Sequence, residues 1–371
     1  MTIDVDHVAG QVRENCAISD AQHAGAFSIC GLALRLRNLF KWERGLDPWV
    51  ERESEEVLDW IGHQEERWEQ VAEREFAGIT LSGETHDPFD VEGINALLEP
   101  QGFLYGAGYA RELKPVFFLA VIEERRRLNG HRVYILGREL ARDLLTIPAF
   151  TQEGVIVVRK DAARSYLWDG ILYLGKSGRP ALGFALEQYG LTARDLGELH
   201  KHLDRILEDE VDLYIHHELG EARQEGLDRQ TWKELVAAFP QSPIELLARA
   251  LKDLLADTSP QGGTLAYIVE EQRKASLGFF TAFLDGLRRE LFPEMRRAFS
   301  AFLQSGDWGA VEQARQEGFR NALRCADILT SAFQRGRDQD ALDRAEAEIE
   351  QRLLKPLGIS RDSMVDEENE A

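Results

Sequence analysis

The chain has 371 residues, 44% of them apolar and 29% charged. That supports a sizeable core and excludes wholesale disorder, collagen and a disulfide miniprotein. Asp and Glu outnumber Lys and Arg by 65 to 44, a formal charge of −21, so the surface repels nucleic acid and anionic membranes except where basic residues cluster. The length suits one large domain or two to three ordinary ones. Cys16, Cys30 and Cys325 are odd in number and show no CxxC or Cys/His spacing, which argues against a disulfide framework or a structural zinc. The opening MTIDVDHVAGQVREN is acidic and lacks an apolar h-region, so it reads as no signal peptide. No stretch approaches the ~18 apolar residues of a membrane span. A cytoplasmic location is the expectation.

Residues 1–76 read as a helical region. Ala24–Phe40 is apolar, with Arg35 and Arg37 as its charges, and Gly45 and Asp47-Pro48 break the chain. From Trp49 to Phe76 the pattern is an acidic amphipathic helix. Val50, Val57, Ile61, Trp68 and Val71 share one stripe, and the carboxylates, His63 included among their neighbours, form a solvated face. Four tryptophans, Trp42, Trp49, Trp60 and Trp68, suit core and boundary packing.

Residues 77–175 change texture and read as a small α+β unit. Phe103–Ala110, Val116–Glu124 and Arg132–Leu136 are strand candidates, and Asn129-Gly130 marks a hairpin because both residues tolerate positive φ. The expectation is an antiparallel meander over 103–137. A helix follows at Arg138–Leu145, then a strand at Val155–Val158 and a helix capped by Asp161. Gly106-Ala107-Gly108 lies inside a strand pattern and opens no helix, so it reads as a kink or bulge rather than a phosphate loop. Arg125–Arg127 with His131 and Arg132 make a basic hairpin tip, read as a charged strand edge.

From residue 176 to 357 the helical period returns. Candidate helices are 180–189, 193–224, 229–238, 243–255, 264–288, 291–304, 307–333 and 338–355, with an acidic, disordered tail at 358–371. ARQEG occurs twice, at 222–226 and 314–318, without matching flanks, and reads as coincidence. The predicted fold class is mainly α: helical, bundle-like regions flanking a small antiparallel α+β unit. The N-terminal helices pack onto the C-terminal bundle in this reading, which makes the central unit an insertion.

One helix is chemically suggestive, ELHKHLDRILEDEVDLYIHHELGEARQ at 198–224. Its Leu203, Ile206, Leu207, Leu213 and Tyr214 share an apolar stripe. Glu210, His217 and Glu221 fall within roughly 40° of the same stripe. Ionisable groups there need ligands, counter-ions or water. His217 and Glu221 are four apart, a spacing that lets two helix residues share one ion. The run His217-Glu218-Leu219-Gly220-Glu221 resembles the metal-binding helix of zinc-dependent metallopeptidases, with glutamate in place of the second histidine. The resemblance covers these five residues. It implies His217 and Glu221 as ligands and Glu218 as the general base acting on a water. A carboxylate-rich site suits manganese or iron as well as zinc. Glu210 lies too far along the axis to be the third ligand, His200, His202 and His216 lie on the flanks, and Glu270-Glu271 is the nominated source. The competing reading has His217 and Glu221 as a buried hydrogen-bonded pair, with Glu210 meeting an arginine. Two functions stay open: a metal-dependent hydrolase, or a non-catalytic acidic helical scaffold for a protein partner.

Overall fold

The computed structural model describes residues 3–110, 114–192, 196–223, 225–284 and 286–359. The chain divides into two compact units, one ending at Trp168 and the other beginning at Asp169.

The first unit holds helices α1 (Val5–His23), α2 (Ile29–Glu43), α3 (Ser54–Val71) and α4 (Val91–Leu98), a small antiparallel pair β1 (Ile79–Leu81) and β2 (Glu84–His86), and a five-stranded sheet. That sheet comprises β3 (Phe103–Tyr109), β4 (Pro115–Leu128), β5 (His131–Arg142), β6 (Ala149–Gln152) and β7 (Val155–Arg159), in the order β3-β4-β5-β7-β6. Asn129 and Gly130, at φ 50° and 87°, make the β4–β5 hairpin as expected. Beyond it the sequence reading needs correction. Arg138–Leu145 is not a helix: β5 runs on to Arg142. Its Leu140 and Ala141 are buried and complete the strand's packing. β7 pairs parallel with β5 and antiparallel with β6, so the sheet is mixed and larger than the predicted meander.

Both faces of this sheet are apolar, which explains the continuous run Pro115–Ile122. One face packs Tyr105, Phe117 and Leu119 under Val8, Val12 and Cys16 of α1 and Ile94 and Leu98 of α4. The other gathers Leu104, Phe118, Ile122, Tyr134, Leu136 and Val157. Register shifts in β4 between Leu119 and Glu124 bend the sheet. It curls until its edges approach, and Gln152 Nε2 donates to the Ala107 carbonyl, 3.2 Å away. Gly106 is the residue this strand requires, since a Cβ there would lie 2.0 Å from the Phe118 ring. The GxG is thus a strand feature. The N-terminal helices and the sheet share one core within this unit, so residues 1–76 do not stand apart as a separate layer. A buried ion pair ties them: Lys114 Nζ donates to Asp20 Oδ1 at 2.9 Å and to Ser19 Oγ at 2.8 Å. Burial pulls the Lys114 ammonium down, and Asp143 and Asp20 more than restore it. Trp68 is a core residue, as its stripe implied, and Trp60, which lies off that stripe, is buried in the same cluster.

α5 (Lys160–Leu172) carries the chain into the second unit, which is helical throughout its described residues: α6 (Arg179–Glu187), α7 (Leu203–Arg223), α8 (Arg229–Ala238), α9 (Pro243–Thr258), α10 (Thr264–Glu270), α11 (Lys274–Ala282), α12 (Gly286–Leu291), α13 (Pro293–Ser305), α14 (Trp308–Asp338) and α15 (Leu342–Ile349). The single helix expected over 264–288 is broken into α10, α11 and α12; Gln272, at φ 51°, sits at the first break. Residues 193–195 of the expected 193–224 helix and 360–371 of the expected tail lie outside the described residues. Among the described residues no helix is long and apolar enough to cross a membrane.

α7 packs on α9 and α10, and α9 packs also on α14. The sequence of α9 dictates its burial: Ile244, Leu247, Leu251, Leu254 and Leu255 recur at helical spacing, and Ser242 caps the start by accepting from Glu245 N. Where α7 crosses α9 the backbones nearly touch. A Cβ on Gly220 would lie 2.2 Å from the Ala256 carbonyl oxygen. Gly220→Ala is therefore expected to cost about 1–3 kcal/mol as overpacking, read as a fall in Tm. Gly62→Ala, mid-helix in α3 with nothing near its missing Cβ, serves as the control and should be neutral or slightly stabilising.

Candidate metal centre

The Gly220 crossing brings the C-terminal half of α7 against the last two turns of α9. Along α7 the buried face turns, from Leu203, Ile206, Leu207 and Glu210 to Val211, Ile215, Glu218 and Leu219. His217 and Glu221 consequently sit on its shoulder, with side chains 27% and 19% exposed, where a small solute can reach them. His217 Nε2 and Glu221 Oε1 are 3.6 Å apart. The third group comes from α9. Ligand atoms of His217, Glu221 and Asp253 all lie within 4.8 Å of one another. A tetrahedral ion with bonds of about 2.1 Å needs edges of about 3.4 Å, so the pair on α7 is already spaced for it and Asp253 needs to draw in.

The other imidazole nitrogen is held. His217 Nδ1 and Asp257 Oδ1 are 2.8 Å apart, and Asp257 Oδ1 also accepts from Thr264 Oγ1 at 2.8 Å. A carboxylate on one nitrogen that turns the other toward a ligand position is the usual support of a metal-binding histidine. Asp257, Thr264 and Lys252, which donates to Glu221 Oε2, thus surround the three-residue cluster.

The electrostatics follow from crowding three carboxylates around one imidazole. Burial alone would lower the His217 pKa, but Asp257, by charge and hydrogen bond, and then Glu221 lift it well above the ordinary 6.5. Burial works against Glu221 too, yet His217 and Lys252 hold it down to about 2. Asp257 is likewise depressed against its burial, by His217 and then Arg288. Asp253 is the exception: burial raises it, and His217 and Arg288 do not fully offset that. One carboxylate of the set therefore lacks enough positive charge.

The sequence nominations sort as follows. His217 and Glu221 come together. Glu218 is buried beside them on α7, and its carboxylate is not among the converging atoms. Glu270 and Glu271 are exposed where α10 ends and are not part of the cluster; the third converging carboxylate is that of Asp253. Glu210 is not paired with an arginine: its Oε1 accepts from Ser276 Oγ at 2.8 Å, and burial raises its pKa to about 7. His216 stacks on Tyr267, ring centroids 4.0 Å apart. Asp253 and Asp257 were missed, although LKDLLADT places them four apart, the same spacing that singled out His217 and Glu221. The basic hairpin tip is solvated, with Arg126 on Glu124 and Arg125 on Glu99.

The fold thus defines a protein of two units, a curled mixed sheet with helices and an all-helical partner carrying this cluster. The chain belongs to a family of unknown function (DUF6866): residues 7–159 match its N-terminal domain and residues 164–352 its C-terminal domain. No curated protein and no solved structure matches the chain.

The pKa directions set a pH signature for the metal-free protein. His217 has a raised folded pKa, so its contribution is complete below about pH 6.5 and is lost as pH rises through the raised value. Glu221 is depressed from 4.5, so its contribution is complete above about pH 4.5 and is lost as pH falls toward about 2. The cluster should stabilise most between those limits. Thermal melts in chelator are expected to show the Tm gap between wild type and His217→Asn shrinking as pH rises above that window. A gap that widens instead would reverse the assignment.

Proposed function

We propose that the C-terminal unit is a divalent-metal centre, with His217, Glu221 and Asp253 as ligands, and that the centre serves a metal-dependent hydrolysis. The observation that carries this reading is the orientation of His217: Asp257 holds Nδ1 while Nε2 lies 3.6 Å from Glu221 Oε1, with Asp253 completing a cluster of ligand atoms within 4.8 Å of one another. Zinc, manganese and iron all suit one imidazole with two carboxylates. Three protein ligands leave coordination positions open, and a divalent ion in such a site lowers the pKa of a water and polarises a carbonyl or phosphoryl oxygen. Among this chain's own residues, Asp257 fixes the imidazole tautomer, Lys252 orients Glu221, and Glu218 is the nominated base that accepts the water's proton. The three cysteines are unpaired thiols, which suits a reducing cytoplasm.

A second reading has one specific observation behind it. Lys252 and the imidazolium already neutralise Glu221 and Asp257, so the same cluster can act as an ion-pair lock in an acidic helical scaffold that recruits a protein partner.

Metal titration separates the two. Protein prepared without a His tag is expected to hold one equivalent of divalent metal, and His217→Ala or Asp253→Asn to hold none. The metal-induced rise in Tm should grow with pH, because coordination requires the imidazole to lose its proton. Equal metal content in wild type and His217→Ala, or a Tm rise independent of pH, selects the scaffold reading.

A further inference from the structure

The first unit contains a cavity of about 560 Å³, bounded by α1, α2, the turn after α2, β5 and the start of α5. Its size is that of a small-molecule site. Its walls mix charges, but the carboxylates are committed. Glu139 Oε1 accepts from Arg159 at 2.6 Å. Asp161 accepts from the Glu139 backbone at 2.9 Å. Asp47 holds Arg164 at 2.8 Å and Glu43 holds the Trp60 indole at 3.0 Å.

The arginines are not so committed. Arg138 lines the cavity, is exposed, and has no partner among the described residues. Arg13 donates Nε to the Leu140 carbonyl at 2.9 Å and carries no ion pair. Arg142 is 4% exposed and lies over the Trp42 ring, 5.4 Å from its centroid. Its nearest carboxylate oxygen, Glu139 Oε2, is 3.6 Å away, and its buried Nε has no hydrogen-bond partner among the described residues. A buried guanidinium with an unmet donor is costly, and Arg142 is one of the residues that line the cavity. Arg142 and Arg159 share the single charge of Glu139. The lining as a whole sets five cationic side chains (Arg13, Lys41, Arg138, Arg142 and Arg164) against four carboxylates (Glu43, Asp47, Glu139 and Asp161), a net positive wall in a protein whose net charge is −21.

We propose that this cavity binds a phosphate-bearing small molecule, with the phosphate held by Arg13, Arg138 and Arg142 and an apolar body laid against Trp42 and Leu46. The guanidinium fork matches phosphate oxygens in pairs, and a dianion meets three arginines better than a single carboxylate does. The site lies wholly in the first unit and is independent of the metal reading.

Calorimetric titration at low ionic strength tests it, with phenyl phosphate, inorganic phosphate and benzoate as probes. Wild type is expected to bind phenyl phosphate at one site per chain, more tightly than either of the others. Arg138→Ala and Arg13→Ala remove exposed side chains, so their melts should match wild type while affinity falls roughly tenfold each, the loss of a charge-assisted contact. Excess chelator and His217→Ala should leave binding unchanged. No saturable binding, or binding that both arginine variants leave intact, overturns the proposal. Tighter benzoate overturns the assignment to phosphate, and equal affinity for inorganic and phenyl phosphate overturns the apolar body.

Discussion

At Gly220 the backbone of α7 lies against the carbonyl of Ala256, with no room between them for a single carbon. Helix axes usually stand 8–10 Å apart because side chains separate them. Here one residue without a side chain allows the closer approach, and its place in the sequence decides what the approach does. Gly220 stands between His217 and Glu221, and Ala256 stands beside Asp257. The contact that brings the helices together therefore also brings imidazole to carboxylate at 2.8 Å. A long side chain at position 220 would keep both helices and lose the cluster.

Once those groups are assembled, their charge has to be balanced at low dielectric. Three carboxylates face one imidazole, one ammonium and the nearby Arg288. Two carboxylates are held ionised and the third, Asp253, is pushed toward its protonated form. A proton and a divalent cation are alternative solutions to the same shortage of positive charge. The proton goes to His217, held well above its ordinary value, and a metal would use the same imidazole lone pair. This competition makes the centre's protonation and any metal occupancy a single linked equilibrium.

The sequence revealed local chemistry better than tertiary arrangement. The hairpin at Asn129-Gly130 was legible because its dihedral demand is written in two residues. His217 and Glu221 were legible because helical spacing is local. The strand β5 was misread past Leu136 because Arg138–Leu145 has helical periodicity too, and the partners that make it a strand, β4 and β7, are distant in sequence. The third member of the cluster was not foreseen for the same reason. Asp253 is over thirty residues from His217, and nothing local says that α9 rather than α10 faces the cluster. The signal that existed was Gly220: a glycine inside an amphipathic helix weakens it, so its presence there points to a close neighbour.

Both units bury carboxylates that burial pushes up, Asp20 and Asp143 in the first and Glu210 and Asp253 in the second. Overall acidity would lead one to expect every buried charge problem to be an excess of carboxylate, and in the helical unit it is. The first unit has such an excess where Asp20 and Asp143 crowd Lys114, but at its cavity Arg142 is buried with an unmet donor, and the exposed Arg138 and Arg13 lack carboxylate partners. Net charge governs long-range approach, and screening limits that influence to about 8 Å at physiological salt. Inside a cavity the nearest groups decide. A protein at −21 can therefore offer an anion site in one unit and a cation site in the other, because each is built from the charges its own packing left unpaired.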